Sequence, residues 1–219
     1  MRFKVPFLLI INEIFYSIQG ESTHAGKPCV FVRLTYCNLR CSYCDTAYAF
    51  EEGTEKSVDA VLAEIKAYPV KLVEITGGEP LMQPEVHTLM TALCDSGYEV
   101  LLETGGSLDI GRVDNRVKRI VDFKCPSSGM MKKNFWANAT KLRPGDEVKF
   151  VVGTREDFDW AVNRIREHGF AKRLTVLFSP VFGELEPRLL AEWILGLDFP
   201  VRMQLQMHKY IWEPTMRGV

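Results

Sequence analysis

Phe31-Val32-Arg33-Leu34-Thr35-Tyr36-Cys37-Asn38-Leu39-Arg40-Cys41-Ser42-Tyr43-Cys44 sets the reading of the whole chain. Its first residues close an apolar, β-branched run, Pro28–Leu34, with the length and composition of a strand. Three cysteines then follow at C-x3-C-x2-C spacing. Thiolates are the natural ligands of iron–sulfur clusters. Three local cysteines leave one iron of a four-iron cubane without a protein thiolate, open to an exogenous ligand. Tyr43, just before the third cysteine, can cover one face of such a cluster. A structural zinc site is the alternative. It asks for four protein ligands, often as two C-x2-C pairs, and the nearest histidine, His24, lies well outside the run.

Outward from this stretch, apolar β-branched runs alternate with helical patterns. Strands are expected at Val70–Thr76, Tyr98–Glu103, Arg119–Lys124, Val148–Val152, Leu174–Ser179 and Val201–Gln206. Ser57–Ala67 reads as a helix, N-capped by Ser57, with Val58, Val61, Leu62 and Ile65 on one stripe. A second helix has Pro84 in its first turn and Gly97 past its end. Thr154–His168 opens on a capping box of Thr154 with Asp157 and stops at Gly169, and Pro187–Leu197 is the fourth helix. Alternation of this kind implies parallel pairing with right-handed crossovers. A closed barrel needs eight units and about 250 residues. Here the units are fewer and several helices are short or missing. The expected fold is α/β: a partial, open, TIM-like β/α barrel with shortened helices, one domain over residues 1–219. Ser127–Gly145 lacks strong periodicity and is a candidate lid or partner loop.

Composition bounds the function. The chain has 219 residues, 47% hydrophobic and 25% charged, with a net charge of −1, so neither a nucleic-acid footprint nor a polybasic membrane patch is present. No apolar run is long enough to span a bilayer. The opening Val5–Ile11 is short for a signal h-region, contains Pro6, and reads as a first strand or its lead-in. Clustered cysteines without an export signal fit ligands in a reducing compartment, the cytoplasm, better than a disulfide framework.

The unusual polar residues collect just after strand ends. The cysteines follow the first parallel strand, Gly77-Gly78-Glu79-Pro80 the second, and Glu103-Thr104-Gly105-Gly106 the third. Asp122 and Lys124 close the fourth, Ser179-Pro180 the sixth, and Gln206 and His208 follow the last. In a parallel barrel these positions share the catalytic face. The glycines of Gly77-Gly78 let backbone approach a ligand closely, and carbonyls with Glu79 can accept from an ammonium group. By itself that stretch is also a plausible tight turn.

C-x3-C-x2-C joined to Gly77-Gly78-Glu79-Pro80 resembles the radical SAM superfamily. From about Asn12 to His208 the chain is similar to the 7-carboxy-7-deazaguanine synthase family. The specific elements are Asn12-Glu13-Ile14-Phe15-Tyr16-Ser17-Ile18-Gln19-Gly20-Glu21, Phe31-Val32-Arg33-Leu34, Cys44-Asp45-Thr46 and His208-Lys209-Tyr210. The resemblance implies a lyase acting on 6-carboxy-5,6,7,8-tetrahydropterin. A deoxyadenosyl radical abstracts hydrogen from C6, the ring contracts, ammonia leaves, and 7-carboxy-7-deazaguanine forms for queuosine or other 7-deazapurines. S-adenosylmethionine (SAM) is regenerated and magnesium assists.

The resemblance also implies roles. Cys37, Cys41 and Cys44 bind a [4Fe–4S] cluster, and Thr46 a magnesium ion. Ile18, Gln19, Gly20, Arg33 and Thr76 match substrate positions; an Arg33 guanidinium suits a carboxylate. Gly78 matches a SAM contact. Asp122, Phe123 and Lys124 align with a segment that often reads S-P-K, of which only Lys124 is kept, and Ser179-Pro180 aligns with a further SAM segment. Position adds Glu103 and Thr104 for the SAM ribose, Glu21 for the amino-pyrimidine edge, and His208 for substrate. Each has a plainer alternative: a local hydroxyl bond for Thr46, a salt bridge for Arg33, a turn role for Glu103 and Thr104, an exposed carboxylate for Glu21, a structural hydrogen bond for His208. Cys29, Cys94 and Cys125 read as buried apolar thiols. The tail Trp212–Val219 is expected either to fold over the pterin or to serve a homodimer. A flavodoxin or ferredoxin is the expected reductant. Two rival functions remain at this point: a glycyl-radical enzyme activase, which shares the cysteine spacing, and a zinc or iron–sulfur module without SAM chemistry.

Overall fold

The computed structural model describes residues 8–219; of the expected lead-in at Val5–Ile11, residues 5–7 lie outside the described residues. β1 (Leu8–Ile18) runs antiparallel to β2 (Pro28–Leu34), with a register shift between Ile11 and Glu13, and its first half pairs with the short β3 (Thr54–Ser57). α1 (Val58–Ile65) begins where the Ser57 hydroxyl accepts from the Ala60 amide, as its sequence requires. β4 (Leu72–Gly77), α2 (Val86–Asp95), β5 (Glu99–Thr104), β6 (Lys118–Asp122), β7 (Glu147–Val152), α3 (Arg155–His168), β8 (Thr175–Pro180), α4 (Pro187–Leu195), β9 (Arg202–Met203) and α5 (His208–Ile211) complete the chain. The capping box of Thr154 with Asp157 is formed, and Gly169 ends α3 at φ 63°.

The strands form one sheet in the order β3-β1-β2-β4-β5-β6-β7-β8-β9, parallel from β2 onward. Among the described residues the sheet does not close, and β3 and β9 are its edges. The crossovers after β5 and β6 lack α-helices. This is the expected open β/α barrel with shortened helices. Two elements differ from expectation. β1, expected as a first strand or its lead-in ending at Ile11, continues to Ile18. The last strand is only Arg202–Met203, because the chain then turns its Gln204 and Gln206 amides inward onto Glu21.

Alternation along each strand divides the molecule. One face of the sheet carries Val30, Val32, Ile75, Val100, Leu102, Val148, Phe150, Val176 and Phe178 into a core with the helices. The other face lines the barrel interior, where Cys29, Phe31, Leu72, Leu101, Ile120 and Leu177 make a small apolar layer. Below that layer the loop after β1 plugs the barrel: Thr23 N–H donates to Glu147, and His24 contacts Glu99, which also pairs with Lys118 at 2.5 Å. Above it the inward positions turn polar, so the site can only lie at the strands' C-terminal ends.

Residues 127–145 fold down as three 3-10 turns. Trp136 stacks on Phe123 at 4.6 Å, and buried Asn138 donates to the Leu108 carbonyl at 2.8 Å and accepts from Ile110 N–H at 3.2 Å. None of these residues lines the cavity described next.

Candidate active site

At the C-terminal ends of the strands lies a cavity of about 390 Å³. One wall is the loop after β2. Tyr36 adopts φ 77°, an uncommon conformation for a tyrosine, and is clamped there: its N–H donates to the Ala49 carbonyl at 2.9 Å and its carbonyl accepts from Glu79 N–H at 2.7 Å. The turn then presents Cys37, Cys41 and Cys44 to the cavity. Arg40 donates to the carbonyls of Cys37 and Leu39, both at 2.7 Å, and lies over Phe50. Ser42 ties the loop to Ser127 and Ser128 through its hydroxyl and its N–H. Gly78 packs so closely behind the cysteines that a Cβ there would stand 2.1 Å from the Tyr36 carbonyl oxygen and 2.9 Å from Cys37 Cβ.

The donor set suits an iron–sulfur cluster with one iron left free. Three thiols border the cavity with no fourth cysteine in its wall, and among the described residues no three His, Cys, Asp or Glu groups converge as ligands of a single ion. Burial lifts the Cys37 and Cys41 thiols above their usual range, so loading a metal displaces protons from them. The Tyr43 hydroxyl and Asp122 Oδ1, buried among these residues, have no protein partner among the described residues, as expected where a polar ligand sits. Asp122 Oδ2 pairs with Lys124 Nζ at 2.7 Å.

The loop after β1 and the C-terminal segment supply more of the lining. Gln19 Oε1 accepts from Glu21 N–H at 2.7 Å, and its amide donates to the Glu74 carboxyl. Glu21 accepts from Gln204 and Gln206 at 2.9 and 3.1 Å, and from Lys149 at 2.5 Å. His208 stands against Gly20, where a Cβ would lie 2.5 Å from the imidazole Nδ1. Burial pushes the His208 pKa down against the pull of the Glu21 carboxylate, so the ring is neutral at pH 7. Asp45 pairs with Lys209 at 2.6 Å and accepts the Thr46 hydroxyl at 2.9 Å. Desolvation pushes the other way, but Lys209 and the hydrogen bonds from Thr46 and Gln206 hold the half-exposed Asp45 carboxyl well below the usual range. The tail folds over the cavity: Pro214, Thr215, Met216, Gly218 and Val219 line it, and Arg217 stacks on Tyr48 at 3.7 Å and pairs with Glu52.

Of the residues singled out in the sequence, Ile18, Gln19, Gly20, Glu21, Arg33, Cys37, Cys41, Cys44, Thr46, Thr76, Gly78, Glu103, Asp122, Lys124 and His208 all line this one cavity. Four do not. Glu79 turns away and accepts from the Thr104 hydroxyl, Gly105 N–H and Leu81 N–H, fixing the turn after β5. Phe123 follows the inward Asp122 and so faces outward into the core, stacked on Trp136 and Phe170. Ser179 and Pro180 are buried at the end of β8, and Val181, Phe182 and Glu184 reach the cavity in their place. Cys125 is a buried thiol outside the wall. Sequence reasoning missed Glu74, Lys149, Tyr48 and the pairing of Asp45 with Lys209 in the cavity lining. The first two had a signal: each is a charge inside an apolar strand run.

Glu74 is wholly enclosed. Burial, reinforced by the carboxylates of Glu103 and Glu21, pushes its pKa well above the ordinary value, so its neutral form is favoured. A carboxyl raised in the folded state loses stability as pH climbs from the unfolded value toward the folded one. Glu74→Gln is therefore expected to leave thermal stability unchanged near pH 4 and to raise it increasingly up to pH 9, by a few °C for ~1 kcal/mol in a chain of this size. A pH series of melting curves with an unchanged or falling difference between variant and parent would remove the neutral-carboxyl assignment.

Known proteins resemble the chain over nearly its whole length. The family model for the radical SAM superfamily matches residues 32–188. The 7-carboxy-7-deazaguanine synthase of Chlorobaculum tepidum is 53% identical over 96% of this chain and 97% of its own length. That of Koribacter versatilis is 44% identical over 95% and 99%. The crystal structure of QueE from Escherichia coli superposes with a TM-score of 0.76 over 90% of this chain and 94% of that one, at 23% identity, and so shares the fold. By family model, by near full-length identity and by the cavity that gathers its motifs, the chain belongs to the radical SAM superfamily and, within it, to the 7-carboxy-7-deazaguanine synthases.

Proposed function

We propose that this chain converts 6-carboxy-5,6,7,8-tetrahydropterin to 7-carboxy-7-deazaguanine with loss of ammonia, as a step of queuosine or 7-deazapurine synthesis. What carries the reading is that one cavity gathers the three thiols with Gln19, Gly20, Glu21, Arg33 and His208. Cys37, Cys41 and Cys44 would hold the [4Fe–4S] cluster, and Gly78, Glu103, Asp122 and Lys124 would surround SAM. When bound, this pair supplies the radical that takes hydrogen from the pterin's C6.

The chain's own residues bind and orient. Arg33 donates Nε to Glu13 at 2.7 Å, which leaves its two Nη groups without a protein acceptor among the described residues, free for the pterin carboxylate. The Glu21 carboxylate, held by Lys149, Gln204 and Gln206, suits the paired N–H donors of the amino-pyrimidine edge. Neutral His208 and Thr76 complete the pterin wall. The tail, which lines the cavity, would help to shield the reacting centre from water.

Magnesium would bind at Thr46, whose hydroxyl turns from Asp45 to the ion, with substrate oxygens completing the shell. Thr46→Ala is then expected to keep full iron loading and lose its rate response to magnesium; an unchanged magnesium titration would overturn this role. A flavodoxin or ferredoxin would deliver the electron, and a homodimer, readable by light scattering, would be the working assembly.

The deciding experiment is anaerobic turnover of the protein reconstituted with iron and sulfide, given dithionite, magnesium, SAM and the pterin, with products followed by mass spectrometry. Formation of 7-carboxy-7-deazaguanine is expected. Deoxyadenosine without that product would point to the activase chemistry, and neither product from a fully loaded cluster would overturn the reading.

A further inference from the structure

Lys149 lies in the middle of β7, between the fully buried Val148 and Phe150. Alternation turns its side chain the other way, into the barrel. The residue is 5% exposed. A buried ammonium is costly unless paired and hydrogen-bonded. Here its Nζ lies 2.5 Å from Glu21 Oε2 and 2.7 Å from Glu103 Oε1. Asp122 adds further negative charge around it. Burial opposes the charged form, but the Glu103 and Glu21 carboxylates outweigh it, and Lys149 stays protonated.

The two carboxylates come from different elements. Glu21 follows β1 and is assigned to the pterin, while Glu103 lies next to the end of β5 and is assigned to SAM. The contacts continue beyond Glu21. Gln206 Nε2 donates to Glu21 at 3.1 Å and to Asp45 at 3.2 Å, and Asp45 accepts the Thr46 hydroxyl at 2.9 Å. One unbroken chain of polar contacts thus runs from Glu103 through Lys149, Glu21 and Gln206 to the cysteine loop.

We infer that Lys149 is a positioning residue shared by both ligand pockets: its single ammonium fixes the pterin-side and the SAM-side carboxylates against each other, so that each ligand binds a geometry the other has helped to set. The inference rests on the proposed assignment of Glu21 to the pterin and Glu103 to SAM. Linkage requires the effect to be reciprocal: the pterin tightens SAM by the same factor by which SAM tightens the pterin.

Equilibrium dialysis with the anaerobic, unreduced holoenzyme tests this without turnover. The affinities for SAM and for 6-carboxytetrahydropterin are each measured with and without the other ligand. In the parent, each ligand is expected to tighten the other. Glu21→Gln should weaken mainly the pterin and Glu103→Gln mainly SAM, by about tenfold each, the loss of one charge-assisted hydrogen bond. Lys149→Met should weaken both by about tenfold or more and abolish the mutual tightening. A folded Lys149→Met or Lys149→Gln protein that binds both ligands as the parent does would reduce Lys149 to a structural residue and overturn the inference. Should neither variant fold, parent-sized mutual tightening in Glu103→Gln would overturn it equally. A parent that binds SAM but no pterin would instead bring down the functional reading, and the shared role with it.

Discussion

Cys41→Ala is expected to give a folded protein that loads no stable four-iron cluster and makes no 7-carboxy-7-deazaguanine. Folding should survive because the loop is not held by its thiols. Tyr36 is clamped by Ala49 and Glu79, Ser42 is bound to Ser127 and Ser128, and the Cys41 carbonyl already accepts the Cys44 amide at 3.2 Å. Cys41 is half-buried, and burial rather than pairing governs its thiol, so removing sulfur leaves no stranded charge. The apoprotein's melting temperature should therefore shift by no more than the few °C that ~1 kcal/mol gives at this chain length. Chemistry should not survive. With two thiolates the cluster has lost a third of its protein ligands, and the enzyme's acceleration, on the order of 10⁶-fold or more, depends wholly on it. Iron and sulfide content, the visible absorption of the reconstituted protein, and product mass spectrometry check the three parts separately. Full iron content with turnover in the variant would remove Cys41 from the ligand set. Cys125→Ala is the matched control: that thiol is buried outside the cavity wall, and its loss should cost some stability and spare the cluster.

How far the sequence carried the fold can be traced residue by residue. Local chemistry was legible. C-x3-C-x2-C, the paired glycines at the end of β4, and the capping box that opens α3 each lie within one short stretch; the cysteines and glycines line the cavity and the capping box is formed. What depends on partners distant in sequence was not. The second half of β1, from Asn12 to Ile18, was hidden: it carries polar residues at Asn12, Glu13 and Ser17 near a sheet edge, and so lacks the apolar run of the central strands. The short β9 gives up the ladder after Met203 because Gln204 and Gln206 are drawn to Glu21, a partner more than 180 residues earlier in the chain. For the site, parity decided the errors. Asp122 faces in and Phe123 therefore cannot, a consequence of strand alternation alone. The same parity applied to Leu72-Val73-Glu74-Ile75 and Val148-Lys149-Phe150 marks Glu74 and Lys149 as inward charges. Their partners, Gln19, Glu21 and Glu103, come from three other elements, and no spacing rule joins them.

Arg33→Met is expected to lower kcat/KM for the pterin by about 10²–10⁴ while SAM binding stays at the parent level. The figure comes from two charge-assisted hydrogen bonds to the carboxylate at about 1.5–3 kcal/mol each. The guanidinium is held in place before any ligand arrives. Nε donates to Glu13 at 2.7 Å, Glu13 also accepts the Tyr48 hydroxyl at 2.8 Å, and the Phe15 and Tyr48 rings lie 5.7 and 5.9 Å from the guanidinium carbon. The cost of ordering this side chain is thus met in folding, and the bonds to substrate are worth more for it. Methionine refills the apolar stem between the rings. Glu13, left with Tyr48, keeps a partner and stays partly exposed, so the loss should be one of function and not of fold. A pterin without the 6-carboxylate separates a direct contact from a general disturbance of the wall. If Arg33 binds that carboxylate, the parent should lose most of its affinity for the truncated pterin and the variant almost none, because the group each change removes is already missing its partner. Equal losses in parent and variant would mean that the two changes act independently, and the carboxylate would then have to be sought by another cation of the cavity, with Lys124 and Lys209 the nearest in kind.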